Sequence, residues 1–432
     1  MRLTNVAQMT LPRGTLQSFL TRASERPGRP LPISFDQRRH VGLGARPGSW
    51  MAVAFRLPEA ATLDDVAAAW MAVIGRHGTL RSAFSYDEAG ELALHEVDIA
   101  GGEWLEHPVG ADQRTRDVLR GVFDAACSPF ERPSHRVCVV VPDDPDPLDP
   151  RPTAVIGSDH AHVDMWSLLV LVRDMMTELT GGSDEAPVPV ASLAEHSEIL
   201  ERMPPAPADV QRRWSDILAI EGGAMPTFPL PLGDVSVPRS EVVEVRDVLS
   251  ADESRALEGR ATERGVRMTA LALSVLAETT TRMSGMPLRA VFPVHSRNEP
   301  RWHDSVGWFI TNSVIHFDET DALASASAVK DALALGSYPL APIFAPYGGM
   351  PAGPGMFAIS WLDTRRLPAV EDALEIQYVS AVIQTDGVMI WFIVNDDGLH
   401  LRCRYPDTSE ARTNVGAWLD RIEKGLRAVV AP

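Results

Sequence analysis

The pattern of apolar and polar residues changes most clearly between residues 152 and 180. Residues 154–156 form a short apolar run that ends at Gly157, which is typical of a buried strand. The apolar residues from 165 to 179 are too many and extend too far for a strand, so they predict a largely buried helix. Asp164 stands directly before this helix and is a residue type that caps helix N-termini. The segment therefore predicts a strand, a tight loop and a helix.

Similar patterns predict helices and strands along both halves of the chain. Thr62 with Asp65, and Ser250 with Glu253, form capping pairs before helical patterns. Further helices are predicted over residues 113–126, 193–203, 208–222, 269–282, 322–335 and 409–430, and strands over residues 50–57, 92–97, 137–141, 241–249, 289–294, 356–362, 374–379, 388–395 and 398–405. Residues 1–30 are predicted to be a turn-rich lead-in. Helices mixed with hairpin-like strands favour two α/β layers of mixed sheet.

The length of the chain indicates two domains. A chain of 432 residues is long for one compact core and fits two domains of roughly 200 residues each. Residues 181–189 combine glycine, proline and charged residues, as a linker does. We therefore expect one domain over residues 1–181 and a second over residues 182–432.

Composition narrows the class of protein. The net charge of −18 argues against a general affinity for nucleic acid or anionic membranes, although it leaves room for a local basic entrance for an anionic cofactor. No apolar run is long enough to cross a membrane, and the first residues lack the apolar core of a secretory signal. Cys127, Cys138 and Cys403 form neither a metal-type pair nor a disulfide framework. We expect a cytoplasmic monomer.

The loop before the predicted helix contains candidate catalytic chemistry. His160 and His162 lie between a rigid strand and a helix start, which can hold a reactive side chain in the open. An imidazole can take a proton from an alcohol or amine that attacks a thioester, and can return it to the leaving thiolate. The spacing His-x-x-x-Asp is weak by itself, since the 12 histidines of the chain give roughly one such match by chance.

Four segments in order make the signal more specific. Residues 32–38 read Pro-Ile-Ser-Phe-Asp-Gln-Arg, residues 76–84 read Arg-His-Gly-Thr-Leu-Arg-Ser-Ala-Phe, residues 159–165 read Asp-His-Ala-His-Val-Asp-Met, and residues 306–312 read Val-Gly-Trp-Phe-Ile-Thr-Asn. They resemble the motifs Ser-x-x-Gln-x-Arg, Arg-His-x-x-Leu-Arg-x-x-Phe, His-His-x-x-x-Asp-Gly and Val-Gly-x-Phe-Val-Asn-Thr of the condensation-domain superfamily. Within it, the chain resembles free-standing actinobacterial polyketide-associated acyltransferases and the condensation domains of nonribosomal peptide synthetases.

This resemblance implies a fold and an activity. It implies two chloramphenicol-acetyltransferase-like α/β subdomains that form a V, with an active-site tunnel between them. The implied enzyme is an acyltransferase that moves an acyl group from a CoA or carrier-protein thioester to a hydroxyl or amine, in lipid or natural-product biosynthesis. The thioester is a co-substrate, and no bound cofactor or metal is expected.

The resemblance also implies roles for residues. His160 is the catalytic base, and Asp164 is architectural, forming an ion pair with Arg297. Backbone N–H groups after Asp164, at the helix start, would stabilise the oxyanion. By family position, the substrate-binding residues are Trp166, Ser167, Trp308, Asn312, Ser360 and Gln384.

The chain departs from the family pattern at three positions. Asp159 replaces the first histidine of the central motif, and Met165 replaces the glycine after Asp164, where it would narrow the acceptor channel or shift the loop. Thr311 stands where the fifth motif usually has asparagine.

Two other functions stay open at this point. His160, His162 and Asp164 also match the beginning of a metallo-β-lactamase-type signature, in which two imidazoles and a carboxylate hold zinc. Met165 stands where that signature continues with histidine. Alternatively, the fold persists without turnover, as a binding or recruitment module. Condensation-like domains that have lost activity usually lose the second histidine of the motif, whereas His160 is present.

Overall fold

The structure, a computed structural model, describes residues 2–26, 28–144, 149–181 and 190–431. These residues form two units. The first consists of Met1–Arg202, Arg297–Phe309 and Leu367–Val382, and the second of Met203–Ser296, Ile310–Arg366 and Ile383–Pro432. The expected division at residues 181 and 182 adjoins a segment, residues 182–189, that lies outside the described residues. It stays a prediction, as does the linker expected there.

Helices and strands are mixed along the whole chain, as the sequence predicts. In chain order they are β1 (Arg2–Asn5), β2 (Gly14–Glu25), α1 (Phe35–Val41), β3 (Trp50–Arg56), α2 (Leu63–Arg76), β4 (Ser82–Tyr86), β5 (Leu92–His107), α3 (Thr115–Ala126), β6 (His135–Pro142), β7 (Thr153–Asp159), α4 (Met165–Leu179), α5 (Leu193–Arg202), α6 (Ala208–Ile220), β8 (Arg239–Ser250), α7 (Ala251–Glu263), α8 (Met268–Ser284), β9 (Arg289–His295), β10 (Ile310–His316), α9 (Ala322–Leu335), α10 (Leu340–Phe344), β11 (Phe357–Asp363), β12 (Gln377–Ser380), β13 (Gln384–Thr385), β14 (Val388–Asn395), β15 (Gly398–Pro406) and α11 (Ser409–Val430).

The predicted strand, loop and helix lie at the centre of the first unit. Within the described residues, its sheet has eight strands in the order β1-β12-β3-β7-β6-β2-β5-β4, and β1 pairs with β12 in parallel. Every residue of β7 is buried, because antiparallel β3 and β6 flank it and helices cover the sheet. Helix α4 packs against α2 and β3. The loop between β7 and α4 therefore emerges from the most buried strand of this unit.

Several strands of this sheet, including β4, were not predicted. Residues 1–30, expected to be a lead-in, contain β1 and β2. Strand β2 alternates buried and partly exposed residues only over its first half, so its mixture of polar and apolar residues conceals the period of two. The strand expected over residues 374–379 is β12, which lies between β1 and β3 although it comes late in the chain.

The second unit is built on a seven-stranded sheet within the described residues. The strand order is β10-β9-β11-β14-β15-β8-β13, and both pairings of β11 are parallel. Helices α8 and α11 pack together and contribute to one apolar core that includes the fully buried Trp418. Asp321 and Thr408 cap α9 and α11, which begin and end at the residues that the sequence predicts. Across the described residues, no helix is both long and apolar enough for a membrane span.

One close contact in the first unit predicts a large effect on stability. A Cβ atom at Gly157 of β7 would lie 2.8 Å from ring carbons of Phe123 of α3, which is itself fully buried. We expect Gly157→Val to lower the free energy of unfolding by about 1–3 kcal/mol through overpacking. The control is Gly121→Ala. Gly121 is exposed on α3, the helix that carries Phe123, and a Cβ atom there would contact nothing. Gly121→Ala should stabilise by about 0.5–1 kcal/mol. Urea unfolding of both variants tests this, and equal stabilities would contradict it.

Candidate active site

The loop between β7 and α4 holds His160 in one orientation. Nδ1 of His160 lies 2.9 Å from the carbonyl oxygen of Val163. Because a carbonyl can only accept, Nδ1 carries the proton and donates it, and Nε2 keeps its lone pair. Nε2 forms no hydrogen bond with any described residue. The tautomer that the loop imposes is therefore the one in which Nε2 can act as a base.

An indole ring covers one face of this imidazole. The rings of His160 and Trp308 stack with centroids 4.1 Å apart at 24°. The indole Nε1 of Trp308 is buried and has no hydrogen-bond partner among the described residues. The ring of His40 lies beside this stacked pair, with its centroid 5.3 Å from that of Trp308 and 6.0 Å from that of His160. Because the indole covers a ring face, an acceptor group would approach Nε2 in the plane of the imidazole.

The surroundings of His160 keep it neutral. Burial lowers the pKa of His160, because desolvation disfavours the charged form, and the neighbouring His40 lowers it further. The carboxylates of Asp159 and Asp164 act in the opposite direction and do not reverse the shift. At neutral pH, the imidazole is therefore ready to accept a proton.

Asp159, which replaces the first histidine of the family motif, is part of a hydrogen-bonded chain. Its buried carboxylate accepts from the backbone N–H of Ala161 at 2.8 Å and lies 3.2 Å from Nε2 of His40. Arg46 donates to Nδ1 of His40 at 3.0 Å, so Nε2 of His40 carries the proton that faces Asp159. Burial acts to raise the pKa of Asp159, but the bonds with His40 and Ser49 outweigh it and hold that pKa below its usual value.

Asp164 and Arg297 form a buried two-pronged ion pair. Nη1 and Nη2 of Arg297 lie 2.5 and 3.0 Å from Oδ2 and Oδ1 of Asp164. The side chains are 0% and 2% exposed. Asp164 also caps α4 by accepting from the N–H of Ser167 at 2.8 Å, and it accepts from the N–H of Phe309 at 3.1 Å. Burial acts to raise the pKa of Asp164, but the charge and hydrogen bonds of Arg297 outweigh it, so the carboxylate stays ionised.

Ser167 extends this pair into a network with the segment Arg297–Phe309. Its Oγ lies 2.8 Å from Nη2 of Arg297, 2.8 Å from the carbonyl oxygen of Gly307 and 3.0 Å from the N–H of Gly307. The guanidinium of Arg297 stacks over the ring of Phe309, with its central carbon 4.1 Å from the centroid. Trp308 lies between these two anchored residues, which explains how its indole is held against His160.

The other two motif-like segments contact this loop or residues that pack around it. Gln37 of α1 donates from Nε2 to the carbonyl oxygen of Ala161 at 2.9 Å. Thr79 donates to the carbonyl oxygen of Val306 at 2.7 Å. His77 lies 2.8 Å from Asp174 of α4. The first unit therefore brings together parts of all four segments around residues 159–167.

The predicted substrate-binding residues divide between the units. Trp166, Ser167 and Trp308 lie in the first unit, where Trp166 donates from Nε1 to the carbonyl oxygen of His303 at 2.7 Å. The other three lie in the second unit, on strands β10, β11 and β13: Asn312, Ser360 and Gln384. The roles assigned to all six residues, and to His160, Asp164 and Arg297, stay predictions.

Sequence reasoning missed three residues of this site. His40 and Arg46 were not singled out, although His40 follows the first motif-like segment by only two residues. Asp174, which accepts from His77 and pairs with Arg76 and Arg173, was not singled out either. Its position ten residues after Asp164, on the same apolar helix, is the signal that could have found it, since a buried carboxylate requires partners.

The side chains of the zinc-like pattern have separate partners. Nδ1 of His162 lies 3.2 Å from Oγ of Ser134, and burial lowers the pKa of His162 to about 4. His160 bonds to the carbonyl of Val163, and Asp164 bonds to Arg297. In the part of the chain that the structure describes, no three histidine, cysteine, aspartate or glutamate side chains are placed to hold a metal ion.

Comparison with known proteins finds acyltransferases that are similar to this chain. No family model matches the chain. Acyltransferase PapA3 of Mycobacterium tuberculosis is 23% identical over 441 residues, which cover 95% of this chain and 91% of PapA3. The structure of PapA2 acyl transferase has a TM-score of 0.85 at 20% identity and covers 100% of both chains. The chain is therefore similar to these acyltransferases and has the fold of PapA2 acyl transferase.

A solved condensation domain has the same fold. The first condensation domain of the calcium-dependent antibiotic synthetase has a TM-score of 0.70 at 13% identity, covering 94% of this chain and 97% of that one. The predicted resemblance to the condensation-domain superfamily and the mixed α/β fold with two chloramphenicol-acetyltransferase-like subdomains are confirmed. The predicted enzyme class, an acyltransferase, is confirmed at the level of that class.

The buried ion pair between Asp164 and Arg297 predicts a large loss of stability on removal of one partner. Asp164→Ala leaves Arg297 charged, buried and unpaired, so we expect a loss of about 3–5 kcal/mol in the free energy of unfolding. The control is Asp304→Ala, which removes a partly exposed partner of Arg173 at 2.6 Å and should cost under about 1 kcal/mol. Urea unfolding at pH 7 measures both.

The same pair predicts how the loss depends on pH. The pKa of Asp164 is lower in the folded protein than in the unfolded chain, so its contribution is complete above the unfolded pKa of 3.8 and is lost as pH falls through the folded value. The difference between wild type and Asp164→Ala should therefore shrink below about pH 4. A difference that stays constant down to pH 2 contradicts the ion-pair assignment.

Proposed function

We propose that this protein transfers an acyl group from a pantetheine thioester, on CoA or on a carrier protein, to a hydroxyl or amine acceptor, with His160 as the base. The observation that carries the proposal is the state of His160: Nδ1–H is donated to Val163, Nε2 is unbonded, and the pKa is lowered. The similarity to acyltransferase PapA3 supports the class of reaction. Ester or amide formation in lipid or natural-product biosynthesis is the expected outcome.

The proposed reaction balances protons without another group. The acceptor oxygen or nitrogen attacks the thioester carbonyl while Nε2 of His160 takes its proton. The tetrahedral intermediate then breaks its carbon–sulfur bond. His160 returns the proton to the leaving thiolate, so the free thiol and the ester or amide are released and the imidazole is neutral again.

The start of α4 offers a donor for the oxyanion. The backbone N–H groups of Ser167 and Leu168 already donate to Asp164, to its carboxylate and to its carbonyl oxygen respectively. The N–H of Met165 forms no hydrogen bond with any described residue. We assign oxyanion stabilisation to Met165, whose main chain serves even though its side chain replaces the family glycine.

Further parts of the proposal concern partners and location. We propose a CoA or carrier-protein thioester as co-substrate and no resident cofactor, since the steps above use only the imidazole and main-chain donors. A cytoplasmic monomer is proposed, and the three cysteines support a reducing compartment because all are buried free thiols. A binding or recruitment module without turnover is the alternative.

The first experiment measures thiol release from a panel of acyl thioesters with hydroxyl and amine acceptors. We expect release to require an acceptor, to persist with a chelator, and to fall about 10²–10⁴-fold in His160→Ala. His95→Ala, which changes another half-buried histidine of the same unit, should keep its activity. Both variants should melt close to wild type.

Each other result has a definite meaning. Transfer by His160→Ala near the wild-type rate would remove His160 as the base. Loss of release with a chelator would favour the metal alternative. Where nothing is released from any pair, capture of an acyl carrier protein would support the binding module.

The lowered pKa of His160 predicts the pH profile. A base must be neutral to work, so kcat/KM falls only when pH drops below its pKa. Because burial sets that pKa below 6.5, the acid limb of the profile should have its midpoint below pH 6.5. A midpoint at or above 6.5 contradicts the assignment.

Trp308 offers a matched pair of variants. Trp308→Phe keeps an aromatic ring on His160 and removes Nε1–H, whereas Trp308→Leu removes the stack. We expect Trp308→Leu to rehydrate the imidazole and move the acid limb to higher pH, because burial is the main cause of the lowered pKa. Trp308→Phe should keep the wild-type acid limb. Identical acid limbs in the two variants would show that the stack does not set the pKa.

A further inference from the structure

The first unit has a cavity at the start of α3, away from the loop of His160. A cavity of about 430 Å³ opens there. Ligand pockets in proteins have volumes of roughly 300–1,000 Å³, so this one can hold a small organic molecule. Its described lining residues include three arginines and no carboxylate: Met9, Thr10, Leu11, Arg13, Gln113, Arg114, Thr115 and Arg116. This is a local excess of positive charge in a chain whose net charge is −18.

The helix end that faces this cavity lacks a side-chain cap. Arg114 occupies the capping position, and no side chain accepts from the first turn. The N–H groups of Asp117 and Val118 donate to the carbonyl oxygen of Arg114. Those of Thr115 and Arg116 form no hydrogen bond with any described residue. A helix of 12 residues therefore presents unused N–H donors, with the positive end of its dipole, at the cavity.

A buried hydroxyl gives an independent indication of a ligand. Thr115 is 3% exposed, and its Oγ1 has no hydrogen-bond partner among the described residues. Nε of Arg116 is likewise buried and unpartnered. Leaving such groups unpaired costs free energy, so a native structure that retains them at a cavity wall requires an explanation. Because Thr115 and Arg116 both line the cavity, we infer that an oxygen-rich anion bound there is the missing acceptor.

The arginines are arranged to contribute charge. Arg13 and Arg116 each donate to a backbone carbonyl, of Ala111 at 2.9 Å and of Met9 at 3.0 Å, which holds the two guanidinium groups in place. Arg13 is 3.9 Å from the carboxylate of Asp143, a loose pair between exposed side chains. Arg114 forms no ion pair with any described residue. A dianion could therefore be neutralised here without breaking a strong ion pair.

We propose that this cavity binds a small phosphate monoester. Phosphate matches the donors, which are helix N–H groups, a hydroxyl and guanidinium groups. The volume leaves room for an attached group of the size of a sugar. Phe123 of α3 packs on β7, eight residues and about 12 Å along the helix from Thr115. The site is therefore separate from the loop of His160 and does not depend on the proposed reaction.

The test is calorimetric titration of the full chain with inorganic phosphate and with ribose 5-phosphate, at ionic strength fixed by sodium chloride. We expect saturable binding at one site, tighter for ribose 5-phosphate. Arg114→Gln should weaken it about tenfold, since one charge-assisted contact is lost. Thr115→Val, which keeps the shape but removes the hydroxyl, should also weaken it. Arg120→Gln removes the same charge from an exposed position of α3 outside the cavity and should bind like wild type.

Several results would overturn the proposal. Absence of saturable binding to wild type contradicts it. Equal weakening by Arg114→Gln and Arg120→Gln would mean that only general charge is measured. Equal affinity for inorganic phosphate and ribose 5-phosphate would contradict the monoester assignment. Arg114 is exposed, so its variant should fold normally, and thermal unfolding of both cavity variants at or above the wild-type temperature verifies that lost binding is not lost folding.

Discussion

The carboxylate of Asp164 is the interaction on which the rest of the site depends. It caps α4, accepts from the main chain of Phe309 and pairs with Arg297, all without contact with solvent. The position of Trp308 against His160 follows from it, because the residues on either side of Trp308 are bound to the same network. The carbonyl that orients His160 belongs to Val163, directly before Asp164. One ionised group therefore anchors both the loop that orients the base and the segment that carries the ring stacked on it.

A buried ion pair is a costly way to join two segments, and apolar residues can be equally stable. Apolar contacts, however, would not fix the angle at which the Arg297–Phe309 segment meets α4. The two-pronged bond between guanidinium and carboxylate has a defined plane. The hydroxyl of Ser167 contacts both the guanidinium of Arg297 and the carbonyl oxygen of Gly307. The pair costs desolvation free energy, but it fixes the position of the segment. A site for proton transfer needs its groups to be held in place within about half an ångström.

Local sequence patterns were sufficient to predict a helix or strand where the apolar residues recurred regularly and capping residues marked the ends. Helices α9 and α11 have the predicted bounds because Asp321 and Thr408 cap them, and β7 with α4 was evident from its apolar runs. The arginine that pairs with Asp164 stands 133 residues away, so only the family resemblance could suggest it. No local pattern predicted the bond between His40 and Asp159 or the place of β12, since both depend on contacts distant in sequence.

The position of β12 has a consequence for how the chain is made. Residues Gln377–Ser380 fill the gap between β1 and β3, both of which are synthesised well before them. At roughly 5–20 residues per second, synthesis of the intervening chain takes on the order of tens of seconds. Throughout that time, β1 and β3 present unpaired edges to any other nascent strand. The sheet of the first unit therefore cannot be completed until residues 377–380 have been synthesised.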